Sequence, residues 1–247
     1  MILELDLGNT RAKWRILNSH SDIIARGIDD IAVWIDGDFP AVWSTGIRRM
    51  RIASVVSPAI ERQLASKIQS VFSLLPEIAR PSLHCAGITN AYVEPERLGV
   101  DRWLALIAAY RKLESAVMVI DVGTALKVDV ADSAGRHLGG YIIPGPALME
   151  HALFDGTDRV RFEGGLELGK IALGVDTRTC VQHGIAAALT GAVLVAIDQC
   201  RSVIGASPIC VTGGFGLQIR GCLEAVGVKD LCYEPDLVLD GLRWVLP

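Results

Sequence analysis

Two short segments of the same form set the strongest limit on what this chain can become. Asp6-Leu7-Gly8-Asn9-Thr10 and Asp121-Val122-Gly123-Thr124 each end an apolar run in the order Asp, apolar residue, Gly, polar residue, and they lie close to half of the 247-residue chain apart. A repeat at that spacing predicts duplicated α/β domains, each opening on one copy. The runs themselves fit. Ile2-Leu3-Glu4-Leu5-Asp6 alternates, and Val117-Met118-Val119-Ile120-Asp121 is nearly all apolar, as a centrally buried strand should be. Residues 52–56, 126–130 and 209–211 read as further strands, whereas 59–72, 102–113, 177–200 and 235–246 carry helical spacing. The expected division is 1–115 for the N-terminal domain and 116–247 for the C-terminal domain, with the last helix returning toward the interdomain region.

Composition removes several classes. Apolar residues make up 51% and charged residues 21%, enough for a substantial core and too apolar for disorder. The net charge of -4, with no basic stripe, argues against nucleic acid as a partner. The longest apolar stretch, 184–197, falls short of the roughly 20 residues a bilayer span needs and reads as a buried helix, so no membrane association is expected. No basic segment leads an apolar one at the N-terminus, and none of the six cysteines forms a C-x-x-C pair. These features suggest reduced core cysteines in a cytoplasmic protein.

Asp-x-Gly turns suit polyphosphate chemistry. Glycine lets backbone N–H groups approach phosphate oxygens where a Cβ would collide, and Thr or Asn adds a neutral donor. Aspartate repels phosphate directly, so its natural role is to hold the intervening cation, through water for Mg²⁺. One such turn from each half would clamp the terminal phosphates of a nucleotide across a cleft. A third element, Val211-Thr212-Gly213-Gly214-Phe215-Gly216, would let backbone approach the rest of that nucleotide. Any one of these alone is most often an ordinary turn at a strand end.

Together and in this order the three segments resemble the phosphate and adenosine motifs of the acetate kinase, hexokinase, heat-shock chaperone and actin superfamily. The implied fold is α/β, with two RNase H-like domains and a nucleotide cleft between them. The middle of the chain narrows the resemblance. Asn90-Ala91-Tyr92 followed by Leu98-Gly99-Val100-Asp101-Arg102-Trp103 resembles the type III pantothenate kinase segment in which a Tyr precedes G-x-D-R-W. Gly139-Gly140-Tyr141-Ile142-Ile143-Pro144-Gly145 is similar to that family's G-G-x-I-x-P-G turn. Gly174-Val175-Asp176-Thr177 and the stretch from Pro235 to Leu242 resemble its later signatures, so the likeness covers nearly the whole chain.

That resemblance implies transfer of the γ-phosphoryl of ATP to the primary hydroxyl of pantothenate, the first step of coenzyme A synthesis. It makes Asp101 the general base, and it places pantothenate among Tyr92, Gly99, Val100, Asp101, Arg102 and Thr177. The planar fork of Arg102 suits pantothenate's carboxylate. ATP phosphates are assigned to Asp6, Leu7, Gly8, Asn9, Thr10, Arg11, Ala12 and Lys13, with Thr124 also bonding ATP. Asp6 organises Mg²⁺, and Asp121 holds a monovalent cation, potassium or ammonium. The family further implies a homodimer, with Thr177 contributing across its interface. For an isolated Asp-Arg pair, a helix-start carboxylate in a surface ion pair is the simpler reading.

One position departs from the family, which usually has Thr where this chain has Lys127. On an extended strand Lys127 shares parity with Asp121 and Asp129. Its ammonium therefore either enters the monovalent-cation position, pairs with Asp129, or reaches solvent. His137, His151 and His183 lack metal-ligand spacing and read as surface or packing residues. The five tryptophans read as core or interface anchors, Trp103 being the one whose motif position suggests more. A non-catalytic accessory or regulatory protein of the same fold is the alternative. The presence of Asp6, Asp101, Asp121 and Thr124 favours an enzyme.

Overall fold

The computed structural model describes residues 1–247 except Thr45 and Gly169. The chain forms two compact units: Met1–Ala86, Tyr92–Ala108 and Leu237–Pro247 make the first, and Gly87–Ala91 with Ala109–Asp236 make the second. A single division after residue 115 was expected from the sequence; the compact units interleave instead, each being built from separate stretches of chain.

In unit 1, β1 (Ile2–Leu7), β2 (Arg11–Leu17), β3 (Ile23–Asp30), β4 (Arg49–Ser54) and β5 (Glu77–Ile78) form one sheet in the order β3-β2-β1-β4-β5. The first three strands are antiparallel neighbours, and β1, β4 and β5 run parallel. Helix α1 (Ile31–Asp36) is capped by Asp30, and α2 (Pro58–Phe72) by Ser57 with Pro58 in its first turn, where a missing N–H costs nothing. Strand β6 (His84–Cys85) also belongs to this unit. Its core is unusually aromatic. Trp34, Trp43 and Phe39 pack with ring centroids 4.8–6.2 Å apart, and Trp14 meets Trp43 edge-on at 5.7 Å. The expectation of core tryptophans holds for all three of these, and for Trp103, which is fully buried.

Helix α3 (Val100–Leu113) starts in unit 1 and ends in unit 2 by residue membership, and the short β7 (Ile88–Thr89) belongs to unit 2. The second sheet comprises β8 (Val117–Val122), β9 (Ala125–Ala131), β10 (His137–Pro144), β11 (Ile209–Thr212) and β12 (Leu231–Tyr233), in the order β10-β9-β8-β11-β12. Its pairing directions repeat those of the first sheet, three antiparallel strands followed by two parallel additions. The expected α/β duplication is therefore present at the level of strand order. Gly139 to Pro144, expected to be a turn, is instead part of β10, because the backbone of Gly140 pairs beside Asp129 in the β9 ladder and the turn begins only at Gly145.

Helices α4 (Pro146–Gly156), α5 (Thr177–Ile204) and α6 (Gly216–Ala225) complete unit 2. Helix α5 starts where the spacing over 177–200 placed it, Asp176 and Thr179 forming a reciprocal capping box, and it contains the apolar stretch 184–197. At 28 residues, with mean hydropathy 1.8 over its most apolar window, it is long and apolar enough to cross a bilayer. Its Val181, Ile185, Leu189, Val193 and Ile197 nevertheless lie in the unit 2 core with β8, β9 and β11. Burial of that stripe, at helical spacing, accounts for its apolar character. On β11 and β12, Cys210 and Cys232 are register partners with sulfurs 2.9 Å apart.

The chain ends with α7 (Leu237–Val245), which returns to unit 1. It meets a row of buried charge there. Glu4 on β1 is fully buried between Arg15, its partner on β2, and Arg51, its partner on β4. Glu4 Oε2 accepts from Arg15 Nε at 2.7 Å and Oε1 accepts from Arg51 Nη1 at 3.2 Å, while Arg15 Nη1 donates to Asp240 Oδ1 of α7 at 2.6 Å.

Candidate active site

The site is described unit by unit. In unit 1, Gly8 to Arg11 link β1 to β2, and the Gly8 N–H donates to the Arg11 carbonyl at 3.1 Å. Asn9, Thr10 and Arg11 are exposed, whereas Leu7 and Ala12 lie in the core and have only backbone to offer a ligand. Asp6, half-buried, stands directly opposite Lys13 in the ladder. A carboxylate beside a neutral Gly-Asn-Thr turn suits Mg²⁺, which keeps most of its waters and takes one or two carboxylates alongside phosphate oxygens. The residues present fit that ion.

The second part of unit 1 is the start of α3. The Gly99 carbonyl accepts from the Trp103 N–H at 3.0 Å, closing the first turn, and Val100 is buried. Asp101 lies in that turn, its Oδ1 accepting from the Arg102 N–H at 2.8 Å. The Arg102 guanidinium is buried, donates from Nη1 to the Tyr92 hydroxyl at 2.8 Å and lies 5.8 Å from the centre of its ring. Tyr92 and Arg102, joined in sequence only by a motif, are thus in contact. Trp103 has its indole N–H buried without a hydrogen-bond partner among the described residues.

In unit 2 three glycine-bearing segments converge on Asp121. The β8–β9 turn holds Gly123, whose N–H donates to the Ala125 carbonyl at 3.0 Å, and the exposed Thr124. Gly145, between β10 and α4, donates to the Thr124 carbonyl at 2.9 Å, and a Cβ there would come within 2.3 Å of the Gly123 oxygen. Gly213, after β11, has φ +91°, and a Cβ would lie 2.5 Å from Asp121 Oδ1. Only glycine permits either approach. Lys127, for which the sequence left three alternatives open, has its Nζ 2.7 Å from Asp121 Oδ2, with both side chains largely buried. Thr177 is exposed as the first residue of α5.

The sequence missed one supporting pair. His137, expected to be a packing or surface residue, is buried with Nε2 3.0 Å from Asp129 Oδ1, and its Nδ1 lies 3.5 Å from the Ala91 N–H. This arrangement anchors the residue before Tyr92. His137→Ala leaves the Asp129 carboxylate without this partner, and denaturant titration should show a loss of about 1–3 kcal/mol, the usual cost of an unmade buried hydrogen bond. No cluster suited to a metal of the His/Cys/Asp/Glu type occurs among the described residues.

Two sheets of the same strand order, each carrying an Asp-x-Gly hairpin, define the class as a duplicated α/β fold. Comparison with solved structures agrees at the level of fold. A Campylobacter jejuni chain described as a Baf family transcriptional activator aligns with TM-score 0.62 at 21% identity, covering 98% of this chain and 95% of its own. Acetate kinase from Porphyromonas gingivalis aligns with TM-score 0.53 at 9% identity, covering 98% of both. The type III pantothenate kinase family model matches residues 2–199, and a type III pantothenate kinase of Pseudomonas putida is 36% identical over 252 residues, spanning 100% of this chain and 99% of the relative. The chain belongs to the type III pantothenate kinase family and is a kinase.

Proposed function

We propose that the protein transfers the γ-phosphoryl group of ATP to the primary hydroxyl of pantothenate, giving 4'-phosphopantothenate and ADP, with Asp101 as general base. The observation carrying this is the contact between Arg102 and Tyr92 immediately beside Asp101, in a chain that also holds the duplicated phosphate hairpins.

The chemistry divides among the residues as follows. The Asp101 carboxylate accepts the proton as the hydroxyl oxygen bonds to the γ-phosphorus and the bond to the β–γ bridging oxygen breaks. Arg102, in contact with the Tyr92 hydroxyl, is the guanidinium proposed to receive the substrate carboxylate. Gly99 and Val100 contribute backbone to the same pocket. Phosphate contacts come from the exposed Gly8–Arg11 turn and Lys13, and from Thr124. Asp6 would hold Mg²⁺, which supplies neutralisation of phosphate charge when bound.

A second copy of the chain is the proposed macromolecular partner. Support comes from Leu173, Val175 and Ile142, which are 97%, 95% and 61% exposed, the first two close in sequence to Thr177. Thr177 would then contact pantothenate in the partner copy. Cytoplasmic residence fits six free thiols.

The test is phosphorylation of pantothenate by the purified protein with ATP and Mg²⁺, followed by ADP release and by mass of the product. Turnover dependent on pantothenate supports the reading; ATP binding without a phosphorylated product refutes it.

A further inference from the structure

Asp121 presents a carboxylate to the turn proposed to receive ATP phosphate, a position that family resemblance assigns to a free potassium or ammonium ion. The residues around it do not fit that ion. Asp121 Oδ2 is already bound by the Lys127 ammonium at 2.7 Å, with side-chain exposures of 16% and 17%. The other oxygen, Oδ1, lies beneath Gly213, where even one added carbon would sit 2.5 Å away. One oxygen is therefore held by charge, and the other faces a backbone position that only glycine can take.

The register explains why Lys127 reaches this carboxylate. Asp121 and Lys127 are direct partners across the antiparallel β8–β9 ladder. On its other flank Lys127 is paired with Ile142 of β10. Asp129, two residues along, is bonded to His137. An ammonium and a potassium ion are both compact monovalent charges. The tethered one loses no translational freedom when ATP arrives.

We propose that the Lys127 ammonium permanently fills the monovalent-cation position at Asp121, so that ATP binding by this protein is independent of potassium and ammonium ions. The inference rests on the nucleotide reading of the β8–β9 turn. It goes beyond that reading by assigning a binding role to a residue at which this chain departs from its family.

The experiment compares ATP dissociation constants, by calorimetry, in potassium chloride and in choline chloride at equal ionic strength. Native protein should bind ATP equally in both, within about twofold. Lys127→Thr, which opens the position, should bind about tenfold or more weakly in choline chloride, and potassium or ammonium should restore it, as expected for a largely buried carboxylate deprived of its partner. A native protein that loses ATP affinity in choline chloride overturns the proposal without recourse to any variant. So does a folded Lys127→Thr protein indifferent to potassium, with the thermal midpoint in each salt as the check on folding. Native protein that binds ATP in choline chloride but fails to phosphorylate pantothenate would count against the proposed substrate and in favour of the tethered ammonium.

Discussion

Replacement of Asp101 by Asn should lower the rate of pantothenate phosphorylation by about 10²–10⁴-fold, the usual contribution of a positioned general base. Asn has the shape of Asp, and its Oδ1 can still accept the Arg102 N–H that Asp101 Oδ1 accepts at 2.8 Å. The start of α3 should thus keep its geometry. What is lost is a group able to take the proton from a primary alcohol. The expected signature is a fall in kcat with the dissociation constant of ATP unchanged, because the proposed phosphate contacts lie on other segments. A helix-start carboxylate with no catalytic role makes a different forecast. Its removal would cost about 0.3–1 kcal/mol of stability through lost interaction with the helix dipole and leave kcat as it was. Thermal midpoint and kcat measured on the same preparation separate the two, and equal rates for native and Asp101→Asn protein would remove Asp101 from the reaction.

The largest effect on stability is expected at Glu4, far from the proposed chemistry. Glu4→Gln removes the charge that neutralises Arg15 and Arg51, whose side chains are 7% and 8% exposed. Burial acts to lower the Arg15 pKa, yet the Glu4 and Asp240 carboxylates outweigh it and hold that pKa above its ordinary value. Breaking a buried ion pair from one side costs about 3–5 kcal/mol, since the remaining charge stays desolvated. Asp240 still serves Arg15, but Arg51 loses the one carboxylate within salt-bridge distance among the described residues. Urea titration of Glu4→Gln should show the midpoint falling accordingly. The combined variant Glu4→Leu, Arg15→Met, Arg51→Met provides the contrast. If desolvation is the cause, it should recover much of that loss, and a triple variant as unstable as the single one would argue for some other origin.

The duplicated Asp-x-Gly segments were legible because their information is local: a turn that must approach phosphate needs glycine within a few residues of the acid. Strands 117–121 and 209–211 and the helices near 59–72 and 102–113 were legible for the same reason, their burial being written in periodicity. The full repeat was not. Asp6 pairs with Lys13 and Asp121 with Lys127, but the second hairpin has one residue fewer in its turn, so the lysines do not align at equal spacing. Parity placed Lys127 on the face of Asp121 and left its partner open, because Asp121 and Asp129 share that parity. Strand β2 escaped notice because Arg15 interrupts its apolar pattern, and that arginine is buried only by virtue of Glu4 and Asp240. The Asp129–His137 pair was hidden for a similar reason, since neither residue signals burial on its own. The resemblance to a family turn made 139–145 read as a turn, whereas the ladder with β9 holds that backbone extended through Pro144.

The return of α7 to unit 1 has a consequence for biosynthesis. Residues 237–247 are made after all of unit 2, yet they supply Asp240 to a charge row begun at Glu4, made well before it. Most of unit 2 is one continuous stretch and can close while translation proceeds. Unit 1 must wait for α7, so its sheet keeps the α7 face uncovered while all of unit 2 is made. A helix made after unit 2 therefore governs when a sheet made before it can finish folding.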